Sequence, residues 1–343
     1  MSSKTPIWKK LLLSMVTLAC TVGALELAAH AWDYAAYGTR QVDGRPQGLY
    51  VIDDGTDFPR LQPGASLSGL RYSVSINALG MRGPELKREK PRNGLRVWCV
   101  GGSTTFDIFA SDNDHTWPAV AQAHLQTALP HRTIEFINGG VPGEILEGSA
   151  QLLNVHGRNL GIDFVVVYHG PNDMRAVSGG HLAAGRARAI PLRSLELLRA
   201  AALDRGIGTG DFPDRPPTAQ ARQDLSNRLR TLERQIYAIG ARPIYASHAY
   251  RIAPDSTGDD LQRQAGELPA QLQMSATSTR EWYRLWNEMM QRRARENRGL
   301  YVNIRAAVGP DNRLWGDATH FSDDGSALAG KSVAEGILAQ LNL

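Results

Sequence analysis

From Leu95 to the C-terminus, short apolar runs alternate with amphipathic stretches. Leu95–Val100, Thr133–Ile137, Asp163–Tyr168, Arg242–Ser247 and Leu300–Ile304 are β-prone and read as five strands. Asp163–Tyr168 is almost continuously apolar, the pattern of a strand covered on both faces. Helical spacing predicts helices over Trp117–Leu129, Glu147–Leu160, Asp224–Ile239, Thr279–Asn297 and Ser326–Leu341. In Asp224–Ile239, residues Leu225, Leu229, Leu232, Ile236 and Ile239 share one face, and Gly240 ends the pattern. Thr279–Asn297 is strongly charged but carries Trp282 and Trp286, both expected in the core rather than as sugar platforms. Strands alternating with helices imply a parallel sheet with right-handed crossovers. The expected fold class is α/β: a three-layer α/β/α sandwich around a five-stranded parallel, flavodoxin-like sheet.

The pattern before Leu95 differs. Lys4, Lys9 and Lys10 precede an uncharged run from Leu11 to Leu25, and Glu26 is followed by further small apolar residues. A basic head before an apolar stretch is an export signal. Leu11 to about Ala31 is just long enough to cross a bilayer, and lysines only before it would keep the N-terminus cytoplasmic. Residues 1–32 are therefore expected to form a signal anchor in the cell membrane, with the remainder extracytoplasmic (periplasmic). The alternative is a signal peptide cleaved near Ala31, at the small-x-small sequence Ala29-His30-Ala31, releasing a secreted protein. Residues 33–92, rich in Gly, Pro and Asp, are expected to be a linker and extended region with short strands such as Tyr72–Ile76. Residues 93–343 form the expected main domain. Two stretches interrupt its rhythm: 177–220, with Gly179-Gly180 and a helical piece near Leu192–Leu203, and 254–278, rich in Gln, Ser and Thr. Both follow strand ends, so both are expected over the ligand crevice, as lids, specificity loops or disordered surface.

Composition narrows the class only a little. The chain has 343 residues, 38 Lys plus Arg and 34 Asp plus Glu. The small, spread basic excess is no nucleic-acid footprint, which needs a clustered face. The two cysteines, Cys20 and Cys99, sit in the N-terminal run and in a core strand, so neither a bridge nor a metal site is expected.

The candidate chemistry lies in the loops after the strands. Val97–Val100 runs into Gly101, Gly102, Ser103 and Thr104. Alone, this is a strand-to-helix turn with a capping hydroxyl, or a serine presented where open α/β sheets bind ligands. Three further stretches favour the second reading: Asn138–Glu144, with Gly139, Gly140 and Gly143; Gly170-Pro171-Asn172-Asp173; and Asp317-Ala318-Thr319-His320. Ester hydrolysis needs a serine beside a base, a carboxylate orienting that base, and donors for the oxyanion. Ser103, His320 and Asp317 supply the first set; the N–H groups of Ser103 and Gly143 and the amide of Asn172 supply the second. His169 and His248 end strands and read as structural or site-lining, Asp173 as a turn-former, and Asp323 and Asp324 as caps of the last helix. The glycine turn lacks the Gly-Lys ending of a phosphate loop, and the Gly-x-Ser-x-Gly elbow is absent, since Thr105 stands at its last position.

These blocks, in this order, resemble the SGNH hydrolases, the GDSL esterase/lipase family, and within it membrane-anchored bacterial members with Gly-Gly-Ser-Thr-Thr. The resemblance spans roughly residues 95–343. One departure is Gly102 where the Gly-Asp-Ser-Leu signature has Asp. Gly140 competes with Gly143 as the second donor; the family spacing favours Gly143. The resemblance implies a serine esterase acting on a small acyl ester or acylated carbohydrate, without metal or organic cofactor, and without nucleic-acid partners; protein partners stay open. An O-acetyltransferase acting on envelope or secreted polysaccharide is the alternative, and an inactive envelope scaffold or glycan-binding protein a third.

Overall fold

A strand without polar positions must lie inside a sheet, and the most apolar runs, Val97–Val100 and Phe164–Tyr168, do so: every side chain in them is buried. The computed structural model describes residues 6–42, 45–51, 58–179, 192–204 and 212–341. The chain begins with the long helix α1 (Ile7–Tyr37) and two small hairpins, β1 (Gln41–Val42) with β2 (Arg45–Pro46) and β3 (Ser66–Ser68) with β4 (Ser73–Ser75). Then come β5 (Gly94–Gly101), α2 (Ser103–Phe106), α3 (Trp117–Ala128), β6 (Thr133–Gly140), α4 (Leu146–His156), β7 (Phe164–Tyr168), α5 (Pro171–Val177), α6 (Arg193–Asp204), α7 (Ala219–Ala238) and β8 (Arg242–Ala246). The chain closes with α8 (Gly258–Ala265), α9 (Leu268–Leu272), α10 (Ala276–Glu296), β9 (Leu300–Val302), α11 (Ile304–Val308) and α12 (Asp323–Gln340).

The main sheet has five strands in the order β6-β5-β7-β8-β9, all parallel. Alternate side chains of a strand point to opposite faces, and here the two faces build two cores. Val97, Cys99, Val166 and Tyr168 pack with Trp117, Leu125, Val333 and Ile337 from α3 and α12. Trp98, Val100, Val165 and Val167 pack with Leu153, Leu229, Trp282 and Trp286 from α4, α7 and α10. The result is the expected three-layer α/β/α sandwich. Register then sets the site: Gly101 lies level with Gly140 on one side and Tyr168 on the other. The loops leaving β5, β6 and β7 therefore start at one height.

Several boundaries differ from the sequence expectation for local reasons. The second strand of the sheet continues through Asn138, Gly139 and Gly140 instead of turning at Ile137, and these pair with Cys99, Val100 and Gly101. The glycines there are packing positions: a Cβ on Gly139 would meet the Trp98 indole, and one on Gly140 the backbone of Phe106. The fifth strand stops at Val302, because the Asn303 side chain caps α11 and Ile304 begins that helix. The last helix is capped by Ser322, not by Asp323 or Asp324; Asp323 instead accepts the Ser111 N–H. The helix α1 runs five residues past Trp32 to Tyr37, ending where Gly38 turns left-handed at φ 71°. It is long and apolar enough to cross a membrane, although Lys4 lies outside the described residues. The polar stretch 254–278 is ordered as α8 and α9. Of 177–220, the described helix α6 packs on α1, while Gly180–Pro191 and Arg205–Asp211 lie outside the described residues.

Candidate active site

Ser103 stands at the tip of β5 as the first residue of α2, half-buried. The first N–H groups of a helix have no partner within it, so the Ser103 amide points outward beside its own hydroxyl. The departure at Gly102 has a local cause. A Cβ there would come within 2.7 Å of the Asn172 amide nitrogen, and that amide is already held by the Glu144 carbonyl at 2.9 Å. At its far end α2 stops on Asp107, a non-glycine residue at φ 68°. Arg82 holds this conformation. Its guanidinium donates to the carbonyls of Phe106 (3.0 Å), Asp107 (2.8 Å) and Asp112 (2.9 Å) and lies over the Phe106 ring. The extended N-terminal region thus supplies a buried cation that clamps the serine loop. The Asp107 carboxyl, pushed up to about 6 by burial, accepts from Trp117 N–H and Ser326 O–H.

His320 arrives from the opposite end of the domain sequence. Its Nε2 is 2.7 Å from Ser103 Oγ and its Nδ1 is 2.6 Å from Asp317 Oδ2. The other Asp317 oxygen accepts the N–H groups of Thr319 and His320, each at 2.8 Å. With Nδ1–H donating to Asp317, Nε2 is left to accept the Ser103 proton. Burial opposes protonation of His320, but the charge and hydrogen bond of Asp317, backed by Glu267 and Asp107, outweigh it and raise its pKa above the ordinary histidine value. Asp317 stays below the usual carboxylate range: burial acts against it, and His320 with the two backbone donors prevails. Glu267, at the start of α9, accepts the Ala318 N–H at 3.3 Å. Burial first, and the neighbouring Asp317 second, push its carboxyl up to about 7.

The loops after β6 and β7 form the facing wall. Gly140 does not compete as a donor: its N–H is taken by Asn138 Oδ1 at 3.1 Å. Gly143, at φ 88°, turns the chain just before Glu144, whose carbonyl fixes Asn172. The Glu144 carboxyl is buried, pushed up to about 8 by that burial with Asp173 and Glu147 adding to it, and accepts the Ile145 N–H. Ser103, His320, Asn172, Glu144, Thr319 and Gln271 of the second insertion line a pocket of about 40 Å³. None of its lining comes from the described part of the first insertion.

Two residues that sequence left outside the active set, His169 and Asp173, prove connected. Asp173 is no simple turn-former: one oxygen accepts the Leu146 N–H at 2.8 Å, and the other meets His169 Nδ1 at 3.1 Å. His169 Nε2 in turn meets Ser149 Oγ at 2.9 Å. This buried cluster bolts α4 to α5, and His169 also forms part of the pocket lining. His248 lies flat against Tyr168, donates from Nδ1 to the Ala249 carbonyl (2.8 Å), and is held neutral by burial at about 3. Among the described residues no group of three His, Cys, Asp or Glu side chains is arranged to hold a metal ion.

The profile of the GDSL-like Lipase/Acylhydrolase family matches residues 99–328. No curated protein matches the chain in sequence. Solved structures similar in fold include the native aryl esterase of M. Smegmatis, 16% identical, covering 71% of this chain and 99% of its own with a TM-score of 0.43. An acetyl-xylooligosaccharide esterase mutant from Geobacillus Stearmophilus is 14% identical, covering 74% of this chain and 97% of its own, TM-score 0.44. A GDSL-like lipase from Bacteroides thetaiotaomicron is 13% identical, covering 74% and 93%, TM-score 0.42.

Proposed function

Because the chain belongs to the GDSL-like lipase/acylhydrolase family of serine ester hydrolases, we propose that it hydrolyses short-acyl carboxylic esters through Ser103, His320 and Asp317. The observation that carries this is the continuous chain of contacts, 2.7 Å from hydroxyl to imidazole and 2.6 Å from imidazole to carboxylate. In the proposed reaction Ser103 Oγ attacks the acyl carbonyl while His320 Nε2 takes its proton. Asp317 holds the tautomer and stabilises the imidazolium. The oxyanion receives N–H donors from Ser103, Gly143 and Asn172, each worth about 3 kcal/mol in the transition state. His320 then protonates the departing alcohol, and water repeats the sequence to free the acid.

The size of the pocket favours a small acyl group. A space of about 40 Å³ suits a small group such as an acetyl better than a long chain. The exposed polar residue in its lining, Gln271, suits a hydroxylated alcohol such as a sugar. The apolar reach of α1, with Lys9 and Lys10 before it, favours a membrane anchor with the catalytic domain on the extracytoplasmic side. Hydrolysis of p-nitrophenyl esters from acetyl to octanoyl tests the proposal: turnover is expected to fall steeply with acyl length. Equal or rising rates on long chains would overturn the short-acyl assignment. Including a carbohydrate acceptor separates hydrolysis from acyl transfer, since transfer without free acid would make the chain an acetyltransferase.

A further inference from the structure

The outer end of α1 is not a free tether. Its covered positions are Val22, Glu26, Ala29, His30, Asp33, Ala36 and Tyr37, neighbours at spacings of three and four, so they form one stripe. Glu26 accepts the N–H groups of Arg193 and Ser194, each at 2.8 Å, and the Ser194 hydroxyl. It thereby caps the N-terminus of α6, where a carboxylate is favoured. Asp33, wholly buried, takes two hydrogen bonds from the Arg193 guanidinium, at 2.9 and 3.0 Å, and one from Gln41 N–H. On the next face, Leu70 N–H and Arg71 N–H bind the carbonyls of Ala35 and Ala36. Cleavage near Ala31 would remove Glu26 and leave the start of α6 uncapped.

These contacts fix the height of α6 relative to the span. The uncharged run Leu11–Leu25 is only about 22 Å long, while the hydrocarbon core is about 30 Å thick. A full crossing therefore takes in Glu26 and the turn after it. A charge at that depth must be partnered, and Glu26 is. The helix α6 starts beside Glu26, and Leu198 is five residues on, so it lies within about 8 Å of that level whichever way the helix runs. The headgroup zone is roughly that deep. There α6 exposes Leu195 and Leu198, three residues apart, 45% and 64% accessible, followed by an exposed Arg199. The exposed Trp32 and Tyr34 of α1 suit the same interface.

We infer that Arg193–Asp204 is an interfacial helix: α1 stays attached as the anchor, and α6 lies on the bilayer with Leu195 and Leu198 in the boundary between headgroups and acyl chains. This rests on the reading of α1 as membrane-spanning. It deepens that reading, because the hydrolase domain is then seated on the lipid surface instead of swinging from a tether.

The test uses the full chain in vesicles of phosphatidylcholine and phosphatidylglycerol. An environment-sensitive fluorophore is placed at Leu198→Cys in a Cys20→Ser background, at the control Leu328→Cys on α12, and at native Cys20; Cys99 is buried and does not label. At Leu198→Cys the expected result is a blue-shifted emission and loss of intensity with lipids carrying a nitroxide near the carbonyl, with no change at Leu328→Cys. Water-like, unquenched emission at Leu198→Cys with blue-shifted emission at Cys20 overturns the interfacial helix and leaves the anchor standing. Water-like emission at both positions overturns both.

Discussion

The domain holds two Ser–His–Asp arrays built with the same connectivity. In one, Ser103, His320 and Asp317 stand 2.7 and 2.6 Å apart at the mouth of a pocket. In the other, Ser149, His169 and Asp173 are joined at 2.9 and 3.1 Å and wholly buried. The difference is surroundings, not composition. Ser103 begins a helix with a free first turn, faces Asn172, and opens to a space an acyl group can enter. Ser149 lies inside α4, where substrate has no path to it. Hydrogen-bonded connectivity therefore does not make a nucleophile; access and oxyanion donors do. The buried array instead holds together the two loops that carry the proposed donors Gly143 and Asn172.

Substitutions should separate the arrays. The largest effect is expected at Ser103: Ser103→Ala should lower kcat at least about a thousandfold, whereas Ser149→Ala should leave turnover within severalfold and cost about 1 kcal/mol of stability. Comparable kcat losses in the two variants would erase the distinction. Next, Asn172→Ala should lower kcat about a hundredfold, with KM little changed, in steady-state kinetics. Smaller again, Asp173→Asn keeps an acceptor for Leu146 N–H but loses one for His169. A loss of roughly 1–3 kcal/mol is expected, read as a lower denaturant midpoint at constant slope. The least effect concerns pH. Only neutral His320 can take a proton, so kcat/KM should rise with pH through a pKa above the ordinary histidine value. A nearby negative charge favours the imidazolium; Glu267→Gln removes one, so the rising limb should move to lower pH.

What sequence made legible follows from what is local. The apolar runs of β5 and β7, the helical faces of α7 and α10, and the Asp317–His320 spacing each lie within one short stretch. Ser103 and His320, 217 residues apart, were joined only through strand order, and the structure brings them into contact. Arg82 was invisible because its partners, the Asn113 side chain and several backbone carbonyls, lie 9 to 31 residues away, and carbonyls leave no sequence signature. Glu267 sits in a polar stretch expected over the ligand crevice, but nothing in that stretch singles it out, and only folding sets it against Asp317. Asp173 read as a turn-former because one partner, Leu146, belongs to another helix, and the other, His169, is itself tied to Ser149 of that helix. The glycines of Asn138–Gly140 mimicked a turn although close packing, not bending, requires them.

The most direct test is a fluorophosphonate reaction on the folded full-length protein, with the modified peptide identified by mass spectrometry. The expected adduct is on Ser103, with Ser149 unmodified and all labelling lost in Ser103→Ala. A folded wild type that stays unlabelled, or an adduct that persists in Ser103→Ala, would contradict Ser103 as the nucleophile.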